Sequence, residues 1–555
     1  MTTAELSPAR LAPSRDRSGA GTTAALTLHA LRAFTRSPMS AFFTVAFPLS
    51  FFLIVNTIVG DAPVDQDGAV RVSQFLVAPF AVFGTVEAVF CVLAIDLAVL
   101  REGGVLKRLR GSPVPAWSVL AARVCAAVLV ALSSVALLVA VGVLAYDVQI
   151  VWRKVPAAVV ALLVGVACFA ALGLALVGLT RSVLAAQTLS NGLLIPLAFV
   201  SNVFIVGADL PAPLAWAGRV LPLRHFADAV ATTFDPAAAG SGFRPADLAV
   251  MAAWGAAGAV VAVRWFGWEP RRGAHTPQAR HGVAAATGAA YGLTAAVVRP
   301  VEPGPARMVG VQARAAFIAM RRDTLAVFFA AVFPVLLLLL FPAVFPDAGF
   351  EGVPLGEFMV PSMIAYSIAV ATYVNLPAAV AQARDHGVLD RLRGSPAPLW
   401  TFYAGRAVAA AVTAAGTAVL LVAAGALANG YRPDPARLPA AVLAFTAGVA
   451  CCSALGFALA ASLRAGQYVP AVALGTLLPL SFISDVFVVG NGGPLPAALR
   501  YTADVFPLKH LSRAMLDALG PDGGGVAWTH LGVLAVWTLA GVLVAARSRA
   551  AGTTD

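Results

Sequence analysis

The chain has 555 residues, of which 60% are hydrophobic and 12% are charged. A soluble domain carries roughly 25% charged residues, so this composition excludes a protein whose whole surface is wetted. The formal net charge of +11 does not indicate nucleic-acid binding, because the basic residues cluster beside apolar runs. Basic residues in that position set the orientation of membrane proteins and are attracted to anionic lipid headgroups.

Long apolar runs recur along the chain, and many exceed the roughly 18–20 residues that cross a bilayer as a helix. They lack the two-residue alternation of strands, so we predict helices. In the first half we expect spans near 40–60, 73–100, 117–145, 155–180, 183–206 and 246–268. In the second half we expect them near 325–345, 358–382, 400–428, 437–463, 466–489 and 526–546. The fold class is therefore an all-α, polytopic membrane protein with twelve transmembrane helices.

The segment before each first span is basic. Residues 23–37 and 309–323 predict amphipathic helices that lie along the headgroup layer, with a frayed basic tail as the alternative. No short apolar core with a small-residue cleavage site precedes the first span, so we expect that span to remain in the mature protein.

The halves of the chain repeat one another. Gly-Val-Leu-Lys-Arg-Leu-Arg-Gly-Ser-Pro-Val-Pro-Ala-Trp at 104–117 returns 283 residues later as Gly-Val-Leu-Asp-Arg-Leu-Arg-Gly-Ser-Pro-Ala-Pro-Leu-Trp at 387–400. Residues 194–204 return at 477–487 with the same offset. Since each copy holds six spans, both copies have the same orientation, as two parallel six-helix repeats.

The repeat predicts a first six-span unit with an N-terminal interfacial helix at 1–268, a cytoplasmic linker at 269–307 and a second six-span unit at 308–555. The positive-inside rule places both termini and both repeated loops in the cytoplasm. A thirteenth span at 282–298 is the alternative, and it would move the second loop outside. Arg153 and Lys154, on the outer side, are exceptions to the charge pattern.

The repeated loop after the second span predicts a docking surface for a soluble partner, because its charges, glycine, prolines and tryptophan keep their spacing. A passive topology signal is the alternative. We expect Gly111 and Gly394 to end a short helix in a left-handed cap, and Trp117 and Trp400 to lie at the headgroups. The candidate docking residues are Arg101, Glu102, Lys107, Arg108, Arg110, Arg384, Asp385, Asp390, Arg391 and Arg393.

The fifth spans are the candidate substrate path. Pro196 and Pro479 disturb each helix near its middle, and aromatic and polar residues follow. Such a mixture suits an amphipathic, apolar ligand, although ordinary helix packing accounts for it equally well. The candidate path residues are Phe199, Ser201, Asn202, Phe204, Phe482, Ser484, Asp485 and Phe487. A carboxylate deep in the membrane is costly and usually functional, so Asp485 is a candidate functional residue if it lies there. If Asp485 lies at the outer mouth of the path, this argument weakens.

Two acids in the second span have no acidic counterpart in the repeat. Glu87 and Asp96 correspond to Val370 and Ala379. We expect Glu87 to face the bundle interior, and Asp96 to pair with Arg101 or to lie at the interface. Read as a proton relay, these acids would instead indicate an ion-coupled secondary transporter. The five cysteines show no CxxC spacing, and we expect neither metal-binding nor catalytic residues in this chain.

These motifs, twice in the same order, resemble the membrane permeases of ABC-2 type exporters, which include daunorubicin-resistance and polyketide-antibiotic efflux permeases. The chain is similar to two such permeases fused in tandem. The resemblance implies that the loop after the second span is a coupling helix that contacts an ATPase. It also implies short re-entrant helices on the outer side at 207–240 and 490–520, interrupted by Pro222 and Pro507.

The chain has no phosphate loop of its own. None of its lysines, Lys107, Lys154 and Lys509, follows a glycine as a Walker A lysine does. The resemblance therefore implies separate ABC ATPase subunits, two for each chain, which would hold ATP and Mg²⁺, whereas this chain carries no cofactor. We expect export of a hydrophobic small molecule, a drug, an antibiotic or a lipid-like compound, across a bacterial plasma membrane. The alternative remains an ion-coupled carrier.

Overall fold

A computed structural model describes most of the chain, with gaps in the termini, the linker and several loops. The described residues are 19–59, 71–111, 114–201, 203, 211–269, 304–345, 349–350, 352–395, 397–463, 465–487, 496–521 and 523–551.

Within these ranges each half contains ten helices in the same order, so that every helix has a counterpart ten numbers later. The first half contains α1 Gly19–Thr35, α2 Pro38–Ile58, α3 Val72–Glu102, α4 Val105–Arg110, α5 Ala116–Tyr146, α6 Val155–Leu179, α7 Val183–Val200, α8 Ala212–Val220, α9 Pro222–Phe234 and α10 Pro245–Trp265. The second half contains α11 Pro305–Arg322, α12 Phe328–Val344, α13 Leu355–Asp385, α14 Val388–Arg393, α15 Leu399–Asn429, α16 Leu438–Ser462, α17 Val469–Ile483, α18 Ala497–Val505, α19 Pro507–Leu519 and α20 Trp528–Ala551. A two-stranded antiparallel hairpin, β1 Gly349–Phe350 and β2 Val353–Pro354, precedes α13.

Twelve of these helices occupy the twelve predicted spans. Ten are long and apolar enough to cross a membrane, and α12 and α17 are shorter apolar helices. The prediction of two parallel six-helix repeats is confirmed. The fifth spans end earlier than expected, at Val200 rather than 206 and at Ile483 rather than 489.

The basic segments before the first spans are helical, as predicted. Helix α1 packs along α5, and α11 packs along α15. The approach in the second half is close, because a Cβ placed on Gly405 of α15 would lie 2.5 Å from the Cβ of Gln312. The predicted linker at 269–307 falls mostly outside the described residues, so the domain boundaries stay a prediction.

Paired short helices follow each fifth span, where re-entrant helices were expected. The break between α8 and α9 falls at Leu221, and the break between α18 and α19 falls at Phe506, both with extended backbone. A proline follows each of these residues. Proline disfavours the helical conformation in the residue before it but is tolerated at the start of a helix, so it explains both the break and the new helix. At the second break Lys509 donates a hydrogen bond of 2.6 Å to Asp504, which lowers the pKa of that carboxyl.

Lys154 and its repeat counterpart Arg437 cap the ends of the paired short helices. The Lys154 ammonium is fully buried and donates to the carbonyls of Thr232, at 3.1 Å, and Asp235, at 2.6 Å, at the end of α9. Arg437, its repeat counterpart, donates to Gly520 O at 3.0 Å after α19. Because the last carbonyls of a helix have no partner within it, these cations serve the fold, and the predicted topology stays a prediction.

Both halves also share π-helical turns. In the second spans they run over Glu87–Val92 and Val370–Asn375. In the first spans they run over Phe42–Ala46 and Phe328–Val332. Insertions of this kind concentrate at functional sites, and hydropathy gave no sign of them.

Candidate functional site

Helices α4 and α14 form the repeated loop that the sequence predicts to dock a partner. Each begins directly after a left-handed glycine, Gly104 with φ of 68° and Gly387 with φ of 66°. A residue without a Cβ allows this sharp turn from the second span. The expected left-handed caps at Gly111 and Gly394 are wrong, because their φ angles are −83° and −81°. The glycines that the turn needs are at the start of each short helix.

Each short helix buries one leucine and exposes its charges. Leu106 and Leu389 are buried against the bundle. The exposed charged residues are Lys107, Arg108, Arg110, Asp390, Arg391 and Arg393. Two surface ion pairs involve them, Lys107 with Glu269 at 3.6 Å and Arg393 with Asp390 at 3.1 Å. Exposed pairs of this kind contribute roughly 0–1 kcal/mol, so they hold the charges only weakly.

The arginines at the end of the second spans point inward. Arg101 is 1% exposed, and its guanidinium donates to Val177 O at 2.5 Å and to Thr180 O at 2.9 Å. Arg384 donates to Ala460 O at 2.8 Å, the same position in the repeat. The Arg101 guanidinium thus binds the carbonyls that end α6, and its contact with a partner stays a prediction.

The acids that follow these arginines bind the start of the fifth spans. Glu102 accepts a hydrogen bond of 2.8 Å from the Val183 amide, and Asp385 accepts one of 3.1 Å from the Gly466 amide. The two contacts are related by the repeat. In both halves the base of the short helix is therefore tied to the turn that connects the fourth and fifth spans.

The two short helices lie at the same end of the molecule. Leu184, next to the Glu102–Val183 contact of the first half, lines the same cavity as Asp385 and His386 of the second half. Since these residues immediately precede α4 and α14, the two charged surfaces face one side.

The first span of each half packs against the fifth span of the other, and aromatic rings fill this seam. Phe482 of α17 meets Phe51 of α2 edge to face at 4.3 Å. Phe199 of α7 lies 6.3 Å from Phe333 and 6.2 Å from Phe341 of α12. The predicted path residues thus meet partners on α2 and α12 that sequence reasoning missed, although runs of phenylalanine mark both first spans.

The seam is closed. Phe487 packs on Tyr366 at 5.2 Å, and the cavity that Phe51, Pro479 and Phe482 help to line measures about 10 Å³. That is the volume of about one water probe, so the described conformation leaves no passage there.

Two serines stand at equivalent places beside the aromatic rings. The hydroxyl oxygens of Ser201 and Ser484 are buried and have no hydrogen-bond partner in the part of the chain that the structure describes. Buried polar atoms without a hydrogen-bond partner are rare in native proteins, so these two hydroxyls are suited to bind a ligand. Asn202 and Phe204 lie outside the described residues.

Comparison with known families identifies the repeated unit. The family model described as "ABC-2 type transporter" matches residues 22–234 and again residues 309–519, which together make up well over half of the chain. The chain belongs to the ABC-2 type transporter family. No curated protein matches it. Each match covers the first five spans and the re-entrant pair of one half, so this ABC-2 protein is a membrane component of an ABC transporter built as two repeats.

Two of the three candidate acids of this ABC-2 protein pair with arginines. Asp485, just after the end of α17 and with φ of 56°, pairs with Arg513 at 2.8 Å. Asp96 pairs with Arg123 at 2.9 Å, not with Arg101 as expected. Glu87 is buried in its π-helical turn and faces the interior, as predicted. An ion-coupled relay would depend on these acids, and nothing in the family match favours it.

Proposed function

We propose that this chain is the permease of an ATP-driven exporter that moves a hydrophobic small molecule out of the cytoplasm. The observation that carries the proposal is the pair of short helices α4 and α14, which expose charged residues on one face of a duplicated ABC-2 fold. Charged surfaces of this kind suit docking of a soluble partner. A separate ABC ATPase holds ATP and Mg²⁺ and supplies the energy.

One chain serves two ATPase subunits, because the tandem repeat provides both docking helices. Their charges differ at one equivalent position, Lys107 in the first and Asp390 in the second. The two docking faces are therefore unequal, which suits either two different ATPases or one ATPase bound with unequal strength.

The substrate passes between the halves along the seam of α2, α7, α12 and α17. Its lining supplies aromatic rings and the two buried serine hydroxyls, which suit an apolar molecule with few polar groups. The hydrogen bonds of Glu102 and Asp385 transmit movement of the short helices to α7 and α17, and this movement opens the seam. The chain acts in a bacterial plasma membrane with both termini and both short helices in the cytoplasm, and the re-entrant helices face outward.

The test is purification of the tagged chain from its host membranes together with its ATPase, followed by transport of lipophilic fluorescent dyes in inside-out vesicles. We expect two ATPase subunits for each chain and dye uptake that requires ATP. Two chains for each pair of ATPases would contradict the fused-dimer stoichiometry. Uptake driven by an ion gradient without any ATPase would establish the ion-coupled alternative instead.

A further inference from the structure

The two halves contain the same cavity at two different sizes. It measures about 270 Å³ in the first half and about 720 Å³ in the second. In each half it lies between the helix before the first span, the second span and the third span, and the second cavity also reaches Leu184 of α7 and Pro470 of α17. The wall positions correspond through the repeat, so that Asp96 and Arg123 in the first cavity are Ala379 and Arg406 in the second.

The second cavity extends to Leu184, Gly466 and Pro470 at the fifth spans, and its shared walls carry several smaller or more polar side chains. The second half has Met320 for Phe34, Asn375 for Val92, Ala378 for Ile95 and Gln382 for Val99. A volume of 720 Å³ falls within the roughly 300–1,000 Å³ of small-molecule sites. The duplicated fold itself does not require this widening, since the first half forms without it.

The central difference between the cavities is a missing carboxylate. Arg123 is paired with Asp96 at 2.9 Å. Arg406 has Ala379 at the equivalent position, and its Nε is buried without a hydrogen-bond partner among the described residues. Its guanidinium lies 4.5 Å above the ring of Phe402. The Arg406 side chain is partly buried and none of its described contacts is a carboxylate, so its guanidinium is suited to an incoming anion.

The acids in the wall of the second cavity are already engaged. Asp323 accepts a hydrogen bond of 3.1 Å from the Ala326 amide, and Asp385 accepts one of 3.1 Å from the Gly466 amide. The wall also carries Arg322 and His386. Arg322 and Arg406 are the arginines of this wall for which no hydrogen bond is described, and both favour an anion. Arg322 is exposed, whereas Arg406 is partly buried.

We propose that the cavity between α11, α13 and α15 binds an anionic amphipathic molecule. Its phosphate or carboxylate takes the place that the Asp96 carboxylate holds in the first half, and contacts the Arg406 guanidinium. A planar guanidinium suits either anion through paired hydrogen bonds. The apolar body lies along the alanine, leucine and methionine side chains of the wall. Binding needs no ATPase and goes beyond the proposed export function.

The test uses the full chain purified in dodecyl maltoside and titrated with dodecyl phosphate. Dodecylphosphocholine, which has the same tail and no net charge, is the matched probe, and native mass spectrometry counts bound molecules. We expect one bound dodecyl phosphate, held at least about tenfold more tightly than the zwitterion. Arg406→Gln removes that preference. Ala379→Asp also removes it while keeping Arg406, because the new carboxylate rebuilds the ion pair of the first half.

The control is the double variant Asp96→Asn/Arg123→Gln, which changes the equivalent positions in the cavity of the first half. It should bind dodecyl phosphate within about twofold of the wild type. Size-exclusion profiles show that each variant is folded, and if Ala379→Asp is not monodisperse, Arg406→Gln decides. Unchanged binding in Arg406→Gln, or no preference for phosphate in the wild type, overturns the proposal. Displacement of the probe by diacyl phosphatidylglycerol supports a membrane lipid as the natural source, whereas failure to displace it supports a soluble amphipath; both results keep the site.

Discussion

The carboxylate of Glu102 accepts a hydrogen bond of 2.8 Å from the backbone amide of Val183. This contact joins the end of the second span, next to the short helix α4, to the start of the fifth span, which carries the candidate path residues. The second half repeats it between Asp385 and Gly466. These two contacts link the proposed docking surface to the helices of the seam.

Glu102→Ala should reduce export and leave ATPase association intact. A net hydrogen bond contributes about 1 kcal/mol, so we expect roughly a fivefold loss of dye transport. Glu102→Gln keeps an acceptor oxygen and should restore most of the rate. Equal transport by all three proteins in vesicles with matched amounts of ATPase would show that this contact does not transmit movement.

Arg101→Ala should destabilise the fold. It leaves the carbonyls of Val177 and Thr180 without their buried donor, at a cost of about 2 kcal/mol. The matched control is Arg108→Ala, an exposed side chain whose loss changes stability by less than about 0.5 kcal/mol. Thermal unfolding of the purified chain in detergent measures both. Equal melting temperatures would contradict the anchoring role.

How much of this architecture the sequence predicts depends on the range of the interaction. The duplication, the twelve spans, the short helix after each second span and the breaks at Pro222 and Pro507 follow from local composition and repeat spacing. The partner of Asp96 does not, because Arg123 lies 27 residues away on another helix. Sequence adjacency favoured Arg101, which the fold turns inward instead.

The position of the sharp turn before each short helix was also not predictable from the sequence, although it is a local feature. Each short helix has glycines on both sides, and spacing alone did not show where the chain turns most sharply. The structure places that turn at Gly104 and Gly387, where the second span reverses into the short helix. The aromatic seam could not be predicted from the sequence, because it forms where one half packs against the other and local sequence patterns do not report such contacts.

Asp485 and Arg513 should act as a structural pair. Asp485→Ala leaves Arg513 partly buried without its carboxylate, and we expect a loss of about 2 kcal/mol. The double variant Asp485→Asn/Arg513→Gln removes both charges and should recover much of the stability and retain export. Loss of export in the folded double variant would show instead that Asp485 serves the substrate path.

Locking the seam should block export. With Cys125 replaced by alanine, the variant Phe51→Cys/Phe482→Cys places two thiols where rings now lie 4.3 Å apart. A short bismaleimide should cross-link them and stop dye transport, whereas each single-cysteine variant treated alike should transport normally. Full transport by the cross-linked protein would place the substrate path elsewhere.

The orientation is tested by labelling in the same cysteine-replaced background. A cysteine at position 391, on α14, should react with a membrane-impermeant maleimide only after cells are permeabilised. A cysteine in place of the exposed Trp216 on α8 should react in intact cells. The reverse pattern would invert the topology.

The most direct measurement is co-purification of the ATPase with charge-reversal variants of the short helices. Arg108→Glu and Arg391→Glu reverse exposed charges on α4 and α14, and loss of one partner of a desolvated interface pair costs about 2–5 kcal/mol. Arg500→Glu, an exposed reversal at the opposite end of the molecule, is the control. We predict that at least one short-helix reversal abolishes ATPase association and export while membrane levels stay near wild type, and that the control changes neither. Wild-type association and export in both reversals would contradict the docking role of α4 and α14.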